Sequence, residues 1–222
     1  MMDYRNADKS GAAQFIADRI LEKLNNDQSV LWLMSGGSGG QLCVAVSKLL
    51  QGHDLSKLHA TMSDERYGDL GHRDENFTQL IRDGLSLPAA RLYRPLTGDT
   101  ISVATRKFSK WLASTHEAVD CTIATLGIGE DGHTSGVKPY SIGVTSSEAA
   151  VYFEGDDFAR ITTTLAFIRS VDEATVQAYG ENKHAIIQQL IMHNSTPELL
   201  PILVVYEIPN VTIFSDYRKE NT

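Results

Sequence analysis

Short apolar runs that alternate with stretches of helical period constrain the fold of this chain more than any other feature. Residues 29–34, 58–62 and 121–126 are such runs. They are too short and too uniformly apolar for amphipathic helices, and they read as buried strands. Residues 41–50, 75–84 and 100–117 lie between them. Their apolar positions recur at helical spacing, as with Leu42, Val46, Leu49 and Leu50 in the first. A helix over residues 8–25 opens the chain, with Ala12, Phe15, Ile16, Ile20, Leu21 and Leu24 on one face. Further strands are expected at 151–153, 161–165, 175–179 and 211–214, and helical character at 181–193. Strands alternating with helices predict an α/β fold: a largely parallel sheet with helices on both faces. No repeat or linker divides the sequence, so residues 1–222 read as a single domain.

Composition narrows the partners. Of 222 residues, 42% are hydrophobic and 22% charged, which fits a globular chain and neither a disordered one nor a coiled coil. The net charge of −8 makes nucleic acid and anionic membrane poor partners, while a few local cations still suffice for a small anion. The apolar runs fall far short of the ~20 residues that cross a bilayer. Residues 1–6 lack the basic start and apolar stretch of a signal peptide. The two cysteines, Cys43 and Cys121, sit in apolar surroundings without a CxxC, so they read as buried thiols. A cytoplasmic protein is expected, monomeric or a small homo-oligomer.

Ligands of parallel sheets bind at the carboxyl ends of the strands. Three unusual loops follow predicted strands and should therefore open onto one edge: residues 35–40, 63–66 and 127–133. In the first, Ser35-Gly36-Gly37-Ser38-Gly39-Gly40 precedes a helix, where close backbone approach and free amides suit a phosphate. The same residues spell GxSxG, the serine elbow of α/β-hydrolases, although only one strand is recognised upstream of them. Gly127-Ile128-Gly129-Glu130-Asp131-Gly132 spells GxGxxG, but Glu130 and Asp131 would face a pyrophosphate, which argues against a dinucleotide. His133 follows, and a histidine two residues from Asp131 is a natural general base. Asp64-Glu65-Arg66 ends another predicted strand, and Asp74-Glu75-Asn76 reads as the cap of the next helix. His72, Asp74, Asp131 and His133 have no accepted metal-ligand spacing, so no metal is expected. Arg160, on a strand, and Lys183, at a helix start, are cations that could join the glycine loop around a phosphate.

Taken in order and spacing, Ser35-Gly36-Gly37-Ser38, Asp64-Glu65-Arg66 and Gly127-Ile128-Gly129-Glu130-Asp131-Gly132-His133-Thr134 resemble the motifs of 6-phosphogluconolactonases. The resemblance runs over nearly the whole chain, through Arg160-Ile161-Thr162, Gly180-Glu181-Asn182-Lys183 and residues 210–216. It implies a modified Rossmann-like fold, shared with glucosamine-6-phosphate deaminases, and cofactor-free hydrolysis of 6-phospho-D-glucono-1,5-lactone in the oxidative pentose phosphate pathway. In that reading His133, Asp131, Arg66 and Asp64 are catalytic, and Gly36, Gly37, Ser38, Arg160 and Lys183 hold the sugar phosphate. Deaminases usually carry Tyr where Arg66 stands, and Asn-Glu-Pro where Val137-Lys138-Pro139 stands. The chain also departs from the lactonase pattern. Ser38-Gly39-Gly40 replaces Ser-Thr-Pro, Ser135-Gly136-Val137-Lys138-Pro139 replaces a sequence like Ala-Ser-Leu-Phe-Pro, and Glu75-Asn76 replaces Ser-Asn. Lys138 is thereby a further candidate for substrate contact. A deaminase or isomerase, and a non-catalytic sugar-phosphate binder, are the alternatives on the same fold.

Overall fold

The computed structural model describes residues 2–155 and 158–218. Strand β1 (Met2–Arg5) leads to helix α1 (Lys9–Asn25), and Asp8 caps that helix by accepting the Gly11 amide at 2.9 Å. Then come β2 (Val30–Met34), α2 (Gly40–Leu49), β3 (Leu58–Met62), β4 (Asp64–Arg66), α3 (Asn76–Arg82) and β5 (Arg91–Tyr93). The second half holds α4 (Ile101–Ala118), β6 (Cys121–Gly127), α5 (Ile142–Thr145), β7 (Ala150–Glu154), β8 (Ala159–Thr163) and α6 (Leu165–Ile168). It closes with β9 (Glu173–Ala178), α7 (His184–Met192), a 3-10 segment (Pro201–Glu207) and β10 (Asn210–Ser215).

Seven strands form one sheet in the order β1-β10-β9-β6-β2-β3-β5, with every pairing parallel. All five residues of β2 are buried, so alternate side chains feed two separate cores. Val30, Trp32 and Met34 join α1 and α2 on one face. Leu31 and Leu33 meet α4, α6, α7 and the 3-10 segment on the other. Helices on both faces are thus as expected. From β2 the chain steps outward to β3, whereas from β6 it goes on to β9 on the opposite side. The loops that leave β2 and β6 therefore flank the point where the winding reverses, the usual binding crevice of such sheets.

Two expectations need correction. The strands expected near 151–153 and 161–165 do not join the parallel sheet. As β7 and β8 they form a second, antiparallel sheet of order β4-β8-β7. Residues 64–66 are its third strand, because the backbone leaves β3 at Ser63 and pairs at once with β8. β8 stops at Thr163, since Thr164 turns the chain by accepting the Phe167 amide at 3.2 Å as the cap of α6. Nor does the Glu75 side chain cap α3. The fully buried Glu65 does so from β4, taking the amides of Asn76 at 2.6 Å and Phe77 at 3.0 Å. Burial pushes the Glu65 carboxyl up to about 8 against the pull of those amides. Glu75 instead accepts the Arg94 guanidinium at 2.5 Å and the Gly71 amide at 2.8 Å.

Candidate active site

The glycine loop leaves β2 at the winding reversal and tightens into a 3-10 turn, Gly37–Gly39, before α2. The first amides of such a turn have no acceptor within it and remain available to a ligand. A side chain at Gly36 would stand 2.3 Å from Asn76, whose Nδ2 donates to the Asp64 carbonyl at 3.1 Å. Glycine at position 36 is what lets the start of α3 close against this loop.

The antiparallel sheet contributes the charged wall. Arg66 of β4 is the register partner of Arg160 of β8, and Asp64 is the partner of Thr162. Residues two apart on a strand share a face, so Asp64, Arg66 and Arg160 point together while Glu65 and Ile161 are buried behind them. Phe158 sits between the guanidiniums, 5.1 Å from that of Arg66 and 5.9 Å from that of Arg160. Burial raises the Asp64 carboxyl above the usual range, and the nearby charges of Arg160, His133 and Arg66 partly offset this. Asp64 is therefore the group on which the two strands and the histidine loop converge.

Residues 127–133 close into a compact turn through Gly129 N–H to the His133 carbonyl at 2.8 Å. In it, His133 Nδ1 lies 2.6 Å from Asp131 Oδ1, and the His133 amide donates to the same oxygen at 3.1 Å. The hydrogen bond from His133 is the main cause that holds Asp131 well below the usual carboxylate range, at about 2. An ionised acceptor at Nδ1 requires the ring proton there, which leaves Nε2 as the basic nitrogen of the neutral imidazole. The ring lies so close over Gly129 that a Cβ there would come within 2.0 Å of Nδ1.

These three loops, with β8 and the turn before α7, enclose a cavity of about 590 Å³. Every sequence-predicted site residue lines it: His133, Asp131, Arg66, Asp64, Gly36, Gly37, Ser38, Arg160 and Lys183. Lys138 lines it too. A chain of net charge −8 thus gathers four cationic side chains, Arg66, Lys138, Arg160 and Lys183, around one opening. Among the described residues, no group of three or more His, Cys, Asp or Glu side chains is placed to hold a metal.

A protein-family model, glucosamine-6-phosphate isomerases/6-phosphogluconolactonase, matches residues 6–213. The chain belongs to this family. One relative is the 6-phosphogluconolactonase of Thermotoga maritima, 24% identical over 58% of this chain and 60% of that protein's length. Another is the glucosamine-6-phosphate deaminase of Staphylococcus haemolyticus, 26% identical over 94% of each chain. Among solved structures, a 6-phosphogluconolactonase from Shewanella baltica superposes with a TM-score of 0.79 at 21% identity, covering 97% of both chains. That likeness establishes the shared fold. Among the described residues, no helix is long and apolar enough to cross a membrane.

Within this family member, Asn76, Glu130 and Ser135 are among the cavity residues outside the predicted site. Asn76 reads as part of a helix cap in sequence, yet it is only 3% exposed and lines the cavity beside Gly36. Glu130 lines it as well and accepts Asn182 Nδ2 at 2.6 Å. Ser135 adopts φ +50°, unusual for a residue with a side chain, in the turn that brings Lys138 round. The tight packing demanded at Gly36 points to Asn76 only once α3 is in place. Ser135 falls in the stretch that departs from the lactonase pattern, but its residue type does not announce the positive φ.

Proposed function

We propose that this chain hydrolyses 6-phospho-D-glucono-1,5-lactone to 6-phosphogluconate. The observation that carries the reading is an imidazole oriented by Asp131 in a cavity that also gathers four cationic side chains. His133 Nε2 takes a proton from water as the water oxygen bonds to the lactone carbonyl carbon. Arg66 steadies the negative charge that develops on the carbonyl oxygen. As the bond from that carbon to the ring oxygen breaks, protonated His133 returns the proton to the ring oxygen. Asp64 orients Arg66 or the sugar hydroxyls. The loop at Gly36, Gly37 and Ser38, with Arg160 and Lys183, holds the 6-phosphate and so sets the ester beside His133. The residues call for no cofactor. A cytoplasmic enzyme, one domain over 1–222 and monomeric or a small homo-oligomer, accords with this reading.

A deaminase on the same fold must hold an amino sugar. Lys138 in the cavity, where deaminases usually carry a carboxylate, favours the lactone over such a substrate. The test is the hydrolysis rate of freshly made 6-phosphogluconolactone above its spontaneous rate, with ammonia release from glucosamine 6-phosphate measured in parallel. Acceleration by the wild type, reduced about 10²–10⁴-fold in kcat by His133→Ala, is the expected result. Ammonia release without lactone hydrolysis would overturn the proposal.

A further inference from the structure

Lys183 has an unfavourable address. It directly precedes α7, where the helix dipole is positive and opposes a cation. It is also the last residue of a turn whose Gly180 sits at φ +102°. Something must hold that turn so that Lys183 stays in the cavity lining, and the neighbouring hydrogen bonds identify it. Asp216, one residue past the end of β10, accepts the Gly180 amide at 3.0 Å through Oδ2 and at 3.2 Å through Oδ1. The same carboxylate lies 3.2 Å from His184 Nε2, on the residue that follows Lys183. The Lys183 amide in turn donates to the Gly180 carbonyl at 2.9 Å. Asp216 thus grips the turn both before and after Lys183. On the other side, the Asn182–Glu130 bond ties the same turn to the loop of Asp131 and His133.

We infer that Asp216 is a positioning residue for substrate phosphate, acting through Lys183 rather than by touching the ligand. The inference rests on the phosphate-holding role proposed for Lys183. Neither Asp216 nor His184 lines the cavity, whereas Lys183 does. The carboxylate also supplies negative charge near a helix start burdened with a lysine, lowering the cost of keeping that cation in place. Without it, Gly180 and His184 lose their common acceptor, and Lys183 must be ordered by the ligand at the ligand's expense.

The experiment uses 6-phosphogluconate as the probe, with its dissociation constant measured by calorimetry for wild type, Asp216→Ala, Lys183→Ala and the double variant. Asp216→Ala is expected to weaken binding about tenfold, in the range of a lost charge-assisted hydrogen bond. The double variant should then bind no more weakly than Lys183→Ala alone, because both changes remove one interaction. In turnover, Asp216→Ala should raise KM for the lactone and leave kcat within about twofold. Asp216→Glu, which keeps a carboxylate on a longer stem, should recover part of the affinity. Unchanged binding by Asp216→Ala overturns the inference. So do losses that multiply in the double variant, or a kcat that falls as far as kcat/KM. A wild type that binds no 6-phosphogluconate overturns the proposed function and this inference together.

Discussion

Among the described residues, two aspartate–histidine pairs stand in different settings. Asp131 and His133 lie two residues apart in one tight loop, and Nδ1 faces the carboxylate at 2.6 Å. Asp216 and His184 come from β10 and α7, and there Nε2 faces the carboxylate at 3.2 Å. The first pair lines the cavity. The second stays outside the cavity, with Asp216 also accepting a backbone amide and the His184 ring edge-on to Tyr217 at 5.4 Å. Under the proposed function, identical functional groups give a base in one place and a fastener in the other. The ring nitrogen that is engaged and the object of the remaining hydrogen bonds decide which.

Each pair also depends on a glycine, for different physical reasons, and this offers ways to separate them. The largest effect is expected from Gly129→Ala. The added methyl would overlap the imidazole and push His133 off its line to the substrate, costing about 10²-fold in kcat with KM changed far less. A kcat near that of the wild type would show that the ring position is uncritical. Gly180→Ala addresses the second pair. Gly180 sits at φ +102°, so a side chain there costs about 1–3 kcal/mol of stability, read as a lower denaturation midpoint, and KM rises while kcat holds. If kcat collapsed as it should in Gly129→Ala, the division of labour would be wrong.

The smallest effect lies in acid. Asp131 is held down to about 2 in the folded chain, against about 3.9 for an unfolded aspartate. Its stabilising contribution is therefore present above about pH 4 and is lost as pH falls toward 2. Both side chains of the pair are substantially exposed, so solvent screening keeps the contribution modest. Urea midpoints of wild type and Asp131→Asn should differ at pH 6 and converge near pH 2. Parallel curves would mean that the pair adds nothing to stability.

Much of this is legible in the sequence, and the unevenness has physical causes. Residues 58–62 coincide with β3, and 29–34 and 121–126 differ from β2 and β6 by one residue at a single end. A continuous apolar run bounded by polar loops has few other readings. The convergence of the 35–40, 63–66 and 127–133 loops followed from parallel topology alone, and the shared cavity bears it out. The short strands β1, β4 and β5 were not recognised, since three or four residues carry no periodicity. Asp64-Glu65-Arg66 is all charged and reads as a loop, although pairing with β8 makes it a strand. The apolar stretch at 201–207 could not be told from a strand or a helix, and tertiary packing makes it a buried 3-10 segment. The Asp216–Gly180 contact was invisible for another reason: it joins positions 36 residues apart through a backbone amide, which leaves no trace in residue identity.

Arg66 and Arg160 face each other as register partners in the antiparallel sheet. The spacing of two partnered side chains is set by the ladder, and a one-residue slip would carry every side chain of the shifted strand to the opposite face. The long stretch of chain between the two arginines can therefore lengthen, shorten or diverge without altering the distance between their charges. Under the proposed function, that makes the small sheet a ruler for the ligand's anionic and polar groups. Substrate preference would then evolve by exchanging side chains along β4 and β8, with the imidazole proposed as the base left undisturbed on a separate loop.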